Sequence, residues 1–585
     1  MYIRAMPSLM SQVDQALALV FQTLSLPVEL ARAEPSARPE LGDLQCNAAL
    51  AAGRLVRKPP RAIGEEIAAS LRGDPRFAAV EVAGPGFVNL RLSDAFLAEV
   101  AAATLADPRL GVSDEGQGSL VVLDFGGPNV AKPLHVGHLR SLVLGESLRR
   151  ILGALGWRTH GDAHLGDWGL QMGMLSAAIR REAPGLAYFT GAGSYPAEAP
   201  VTLDELERLY PEAAAASRDD PARMAEARAD TAALQAGDPG LMALWRNLRK
   251  LSVDAQARDF ALLDVHFDAL DGESDVRDAV APLVADFRAR GVARESEGAL
   301  VVDVALPGDT HEVPPLLLAK SDGAALYATT DLATLQARAA MPGLAKVVYV
   351  VDQRQALHFE QVFRAARRGG IAAGVELVHA GFGTVNGKDG KPFKTRQGGV
   401  ARLRDLLDEA VERARERVDG SDRVDASERE ALARMIGSAA VKFADLSGDR
   451  LSGYVFDAER LVAFEGKTGP YLQYAVVRMR SVLEKAHDTP AGAPYAVQPA
   501  ERELVLACLA FGDKVSEAAH LLQPGVLAGW AYDIAQRFSR FYDRCPILRE
   551  PDDAVRSHRL GICQLTLAVL ERALDLLGID VPTRM

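Results

Sequence analysis

Apolar residues in this chain change their period at recognisable points, and each change predicts an element. Val121, Val122, Leu123 and Phe125 form a short apolar run, the pattern of a strand buried on both faces of a parallel sheet. Gly126-Gly127-Pro128 cannot continue a strand interior and predicts a turn. Beyond His138 the period becomes helical, with Leu144, Leu148, Ile151, Leu152 and Leu155 on one face. Residues 157–173 repeat strand, glycine turn and helix, so the two units predict a doubly wound, Rossmann-like parallel sheet.

The flanks read differently. Residues 13–24 and 59–71 have helical patterns, the second opened by proline, and strand-like runs flank the Gly84-Pro85-Gly86 turn. They predict a separate N-terminal α/β domain over residues 1–110. A second α/β domain is expected over 111–425, where residues 185–250 become rich in Ala, Glu and Asp and read as a solvated helical insertion without chemistry of its own. From about 295 the α/β pattern resumes, with strands expected at 299–306, 316–320 and 346–351 and a turn at 321–323. Residues 426–585 predict an all-α bundle, with helices near 427–446, 470–486, 500–523, 525–540 and 555–577. The expected fold class is multidomain α/β.

Composition narrows this only a little. At 585 residues the chain is too long for one core. Four scattered cysteines (Cys46, Cys508, Cys545, Cys563) without CxxC spacing argue against a disulfide framework or structural zinc and fit a reducing cytoplasm. No apolar run reaches membrane-spanning length, and the first residues lack a signal-peptide core, so a cytoplasmic protein without a membrane partner is expected. The net charge of −12 counts against a nucleic-acid partner, although a local basic track can bind phosphate on an acidic protein.

Chemistry concentrates after the central strand, where Lys132 precedes His135-Val136-Gly137-His138. A helix N-terminus there offers backbone N–H groups to polyphosphate, and Gly137 permits close approach of a base or ribose. Two histidines one helical turn apart, with a lysine, can donate to phosphate oxygens as charge develops on them. The spacing alone favours a helix start with no special role; a zinc pair would need a third ligand.

The full string PNVAKPLHVGHLRS resembles the ATP-binding signature of class I aminoacyl-tRNA synthetases, in the form of the arginyl-tRNA synthetase family. The resemblance implies ATP contacts from Pro128, Asn129, Val130, Ala131, Lys132, Pro133, Leu134, His135, Val136, Gly137 and His138. HLGDWGLQMG resembles the family's loop beside the adenylate site, implying that His164, Gly166, Asp167 and Gln171 line the nucleotide and amino-acid pockets. ALYATTDLATL and VVDQRQALHFEQVF also resemble the family, and their residues suit a guanidinium, which needs a bidentate carboxylate and planar acceptors. Asp331 is the expected guanidinium partner, with Tyr327 closing over it and Gln355 nearby; Asp124, Asn129, Gln171 and His138 complete the arginine site. Asp331 read alone would equally be a charge stabilised at a helix N-terminus.

VHAGFGTVNGKDGKPFKTR occupies the place of the family's KMSK loop but departs from it, because Phe393-Lys394-Thr395-Arg396 stands where the motif would be. Gly383 and Val385 are expected at the ATP, and Lys388, Lys391, Lys394 and Arg396 are the candidate phosphate contacts. The implied catalytic set is His135, His138, Lys132, Lys391 and Lys394. DLQCNAAL and VAGPGFVNLRLS resemble the family's N-terminal tRNA-binding domain and make Asp43, Gln45, Asn47 and Asn89 candidate RNA contacts, although each could merely end a helix or turn. FEGKTGPYLQYAVVRMRSVL and LERALDLLGIDVPTRM resemble the anticodon-binding bundle.

The implied reaction forms arginyl-adenylate from arginine and ATP and then transfers the arginyl group to the 3′ end of tRNA(Arg). Mg²⁺ is expected with ATP, with no dedicated metal ligands and no prosthetic group, and activation is expected to require tRNA and to occur on a monomer. A small-molecule nucleotidylyltransferase would share the histidine signature but leave both terminal domains unexplained. A non-catalytic tRNA-binding relative would be expected to lose His135, His138, Lys132 or Asp331, and all four are present. The cysteine enzyme would need zinc ligands, and the leucine, isoleucine and valine enzymes a large editing insertion.

Overall fold

In the computed structural model, which describes residues 8–191, 193–320, 326–391, 393, 401–419, 425–486 and 489–585, a four-stranded parallel sheet holds the centre of the chain. Its strands are Leu120–Phe125, Arg158–Asp162, Leu344–Val350 and Glu376–His379, in the spatial order second, first, third, fourth. Leu120–Phe125 is buried throughout, as its unbroken apolar run requires. The chain leaves the first strand toward one edge of the sheet and the third toward the other. Their carboxyl ends, where Phe125 pairs with Val350, therefore flank a topological switch point, the crevice in which open α/β sheets bind ligands.

The helix after the glycine turn runs Val136–Ala154. Its expected face is buried, but so are Leu139, Arg140, Leu142 and Glu146. The sheet covers one side of this helix and the C-terminal bundle covers another. Arg140 donates through Nε to Asp445 at 2.9 Å and through Nη1 to the Ser452 carbonyl at 2.8 Å, and Ser147 donates to the Leu576 carbonyl. Burial pushes the Asp445 carboxyl up to about 6 against the opposing pull of Arg140. The bundle comprises Arg429–Leu446, Gly469–Lys485, Pro499–Leu509, Phe511–His520, Gly525–Arg544 and Asp553–Leu576. The helix expected over 500–523 is two: the Trp530 indole donates to the Ala507 carbonyl at 3.0 Å, near the break at Ala510.

The N-terminal region is a four-stranded antiparallel sheet (Glu34–Pro35, Leu44–Cys46, Phe87–Leu92, Phe77–Ala83 in spatial order) with helices Leu9–Thr23, Ala48–Val56 and Pro60–Leu71. Its hydrophobic core is continuous with that of the bundle. Two further expectations change in three dimensions. The strands near 295–320 (Arg294–Ser296, Ala299–Val302, Leu316–Ala319) form a separate antiparallel sheet, because Glu297 and Gly298 both take positive φ and close a tight hairpin. The insertion, helices Leu203–Asp219, Pro221–Gln235 and Pro239–Leu262, is not a solvated appendage. Leu206, Leu209, Leu234, Leu241, Leu244 and Leu248 join a core that includes Val130, Ala131 and Trp168. Among the described residues no helix is long and apolar enough to cross a membrane.

Asp43, an expected RNA contact, is instead an interdomain clamp. Its side chain is 3% exposed and accepts from Arg502 (2.6 and 3.1 Å), from Arg91 (3.2 Å) and from the Leu92 N–H (2.8 Å). Arg502, on the bundle, also donates to Asp94 and to the Leu92 carbonyl. Asp43→Ala leaves the Arg502 guanidinium largely buried beside one remaining carboxylate, and the expected cost is about 3 kcal/mol of stability. Denaturant unfolding checks this, and unchanged stability would remove the clamp role.

Candidate active site

The loop between Phe125 and the signature helix is held almost entirely by the protein. Val130 N–H donates to the Gly166 carbonyl and Gly166 N–H to the Pro128 carbonyl, joining the two glycine-rich motifs as a parallel bridge. A Cβ on Gly166 would stand 2.3 Å from Asn129 Oδ1, so only glycine allows this approach. Ala131 sits at φ +68° and its N–H donates to Ser252 Oγ, while Gln256 Nε2 donates to the Asn129 carbonyl; both partners come from the insertion. Pro128, Val130, Ala131, Leu134 and Val136 are buried, so their side chains support the loop and do not face a ligand.

The first helical turn departs from the expectation of free backbone donors. Gly137 N–H donates to His135 Nδ1 and His135 N–H to His138 Nδ1, each at 3.0 Å. Val136 N–H donates to the Ala401 carbonyl and His138 N–H to the His135 carbonyl. A reciprocal histidine capping box thus uses the donors that polyphosphate would have taken. It also places the proton of each neutral ring on Nε2, turned away from the cap. Gly137 serves that cap, since a Cβ there would lie 2.7 Å from the His135 ring. The rings are 3.9 Å apart. Burial, then the Lys132 charge, lowers the His135 pKa; burial, then His135, pushes His138 down to about 3. The Lys132 ammonium lies 4.6 Å from the centre of the Tyr210 ring.

On the opposite wall, the helix Tyr327–Ala339 presents Tyr327, Asp331, Thr334 and Arg338 at helical spacing. Asp331 lies within this helix rather than at its start, and its Oδ2 is 2.6 Å from His358 Nε2. Gln355, one turn before His358, is exposed, and its side chain does not cap the helix it precedes. Tyr327 stands at the mouth of a cleft of about 790 Å³ lined also by Trp168, Gly169, Glu273, Arg277 and Thr330. Glu273 carries no recognisable sequence signal. Burial, and then the charges of Asp167 and Asp331, push its carboxyl up to about 7. Burial first, then Glu273 and Tyr210, raise the Tyr327 phenol.

Several expected contacts are already engaged. Asp124 pairs with Arg338 at 2.7 Å, and the same nitrogen reaches Asp162 at 2.5 Å. Burial opposes the charge on Arg338, but Asp124, Tyr349 and Asp162 outweigh it and hold the guanidinium ionised. Asp167 is fully buried: it accepts from Arg249 Nε, Ser274 N–H and Ser274 Oγ, while its carbonyl accepts from the Trp245 indole. It ties the insertion to the sheet and cannot reach a nucleotide. Gln171 donates to the Gly166 carbonyl at 2.7 Å, and His164 Nε2 is 3.4 Å from Thr334 Oγ1.

Val385 is buried and its carbonyl accepts from Phe393 N–H; Gly383 donates to the Arg450 carbonyl. Lys388 pairs with Asp457 at 3.1 Å, whereas Lys391 is exposed. Lys394, Arg396 and the 321–323 turn lie outside the described residues. Among the RNA candidates, Asn89 is 3% exposed on a central strand and cannot meet a partner, Gln45 is half-buried, and Asn47 is exposed. Among the described residues no group of three or more His, Cys, Asp or Glu side chains could hold a metal ion.

The histidine cap has a pH signature. Between about pH 6.5 and 3 the unfolded chain binds a proton at His138 that the folded protein refuses, so stability falls as pH falls. His138→Asn should flatten that acid slope by at most one proton's worth, about 1.4 kcal/mol per pH unit. Parallel stability–pH curves for the two proteins would contradict the buried neutral cap.

Residues 99–458 match the family described as tRNA synthetases class I (R), catalytic domain; residues 472–585 match the DALR anticodon binding domain; and residues 8–92 match the arginyl tRNA synthetase N terminal domain. The chain is 48% identical to an arginine–tRNA ligase of Maricaulis maris over 99% of its own length and 100% of that protein's. It is 46% identical to one of Hyphomonas neptunium, again over 99% and 100%. The solved Thermus thermophilus arginyl-tRNA synthetase superposes with a TM-score of 0.80 at 26% identity, covering 99% of this chain and 100% of that one. The chain belongs to the arginyl-tRNA synthetase family of class I aminoacyl-tRNA synthetases.

Proposed function

We propose that this chain is an arginine–tRNA ligase that binds L-arginine across the Asp331 wall and ATP across the histidine wall of one crevice. The observation that carries the reading is the Asp331 carboxylate held at 2.6 Å by His358 and close enough to Glu273 to raise its carboxyl, in a chain that also carries the paired histidines. The guanidinium of arginine lies against Asp331, whose carboxylate is oriented by His358, with Glu273 as a second acceptor and Tyr327 covering it. Asp124 is neutralised by Arg338, which leaves Asn129 and Gln171 to the amino-acid end.

A carboxylate oxygen of arginine attacks the α-phosphorus of ATP in line. The new P–O bond forms as the bond to the pyrophosphate oxygen breaks, and negative charge grows on the leaving group. The Nε2–H groups of His135 and His138, the Lys132 ammonium and Lys391 donate to those oxygens. Mg²⁺ enters with ATP as part of the substrate and neutralises phosphate charge. A hydroxyl of the terminal ribose of tRNA(Arg) then attacks the carbonyl of arginyl-adenylate and releases AMP. The bundle, with the exposed Asn47 and half-buried Gln45 of the N-terminal domain, contacts the tRNA. The enzyme works as a cytoplasmic monomer.

Arginine-dependent ATP–pyrophosphate exchange tests the reading, with and without cognate tRNA. Exchange that appears only with tRNA is the expected result; none with arginine under either condition would overturn it. Asp331→Ala should raise the KM for arginine by about 2–4 kcal/mol, roughly 30- to 1000-fold, while the KM for ATP stays near its original value. Unchanged arginine kinetics would take Asp331 out of the guanidinium site.

A further inference from the structure

The insertion helix Leu203–Asp219 touches the nucleotide side of the crevice at two residues one turn apart. Glu207 pairs with Arg402 at 2.6 Å, and Arg402 forms an antiparallel bridge with His135. Tyr210 lies under the Lys132 ammonium. Among the described residues no carboxylate lies within ion-pair distance of that ammonium, so the aromatic ring is its electrostatic partner. A carboxylate partner would neutralise Lys132 and would have to be displaced by phosphate. A ring attracts the cation through its quadrupole and still leaves N–H donors on the far side of the ammonium for phosphate. It also restricts a side chain that would otherwise lose up to about 2 kcal/mol of rotamer freedom on binding.

We propose that Tyr210, from the helical insertion, is a positioning residue that holds the Lys132 ammonium ordered for the phosphates of ATP. This rests on the reading of Lys132 as a phosphate donor. The insertion therefore belongs to the nucleotide site, and a ring at position 210 contributes to the activation step.

The test is ATP–pyrophosphate exchange with saturating tRNA for the full-length protein and for Tyr210→Phe, Tyr210→Leu, Lys132→Ala and the Lys132→Ala/Tyr210→Leu double variant. Tyr210→Leu should lower kcat/KM for ATP by roughly two- to fivefold, the size of one cation–π contact, with the KM for arginine unchanged. Tyr210→Phe keeps the ring and should restore most of the loss. In the Lys132→Ala background, Tyr210→Leu should have no further effect, a coupling that general destabilisation of the insertion would not produce. Impaired Lys132→Ala with unimpaired Tyr210→Leu, or fully additive losses in the double variant, would overturn the positioning role alone. Normal exchange by Lys132→Ala would overturn the phosphate role of Lys132 and the proposal with it.

Discussion

The reciprocal hydrogen bonds between His135 and His138 govern how the crevice can treat phosphate. By giving each Nδ1 to a backbone N–H, the two imidazoles close the helix start and turn their Nε2–H groups outward. A helix with an open N-terminus would bind anions through its backbone and its dipole. Here the backbone donors are engaged, which leaves the neutral side chains and Lys132 as the groups able to donate. Burial disfavours protonation of both imidazoles, and the neighbouring Lys132 charge disfavours it further.

Such a cap is useful only if the loop before it stays in place, and three other parts of the chain hold it. The insertion supplies Ser252, Gln256 and Tyr210. The segment after the lysine-rich loop pairs with it through Ala401 and Leu403. The C-terminal bundle anchors the following helix through Asp445 and Leu576. Buried ion pairs contribute little net stability, but removing one partner is costly. The Arg140–Asp445 and Arg502–Asp43 pairs therefore define how the domains meet more than how strongly.

Charge on the amino-acid side is arranged in opposite fashion. Arg338 compensates Asp124 and Asp162, whereas Asp331 meets the His358 ring and Glu273 lines a cleft that also carries Arg277 and Lys320. The raised carboxyl of Glu273 is the electrostatic consequence of burying it near two other carboxylates.

The central strand, the glycine turn, the helix that follows and the helical character of the C-terminal region were legible in the sequence, though not the break at Ala510, because apolar runs and helical burial patterns are local. Signature strings marked His135, His138, Lys132 and Asp331 for the same reason: each lies in a contiguous stretch. Glu273, His358 as a partner of Asp331, and Tyr210 as a partner of Lys132 could not be read this way, since each meets its neighbour only when separate elements converge. The same convergence turned Asp43, Asp124 and Asp167 from expected ligand contacts into internal ion-pair partners. A carboxylate in a sequence string has no visible cation; whether it faces a ligand or an arginine from another domain is decided by which surfaces the fold buries. By itself the sequence determined the local periodicity and the chemistry available at each motif. Tertiary structure decided which polar groups were satisfied internally and which remained free for substrate, because that depends on partners distant in sequence.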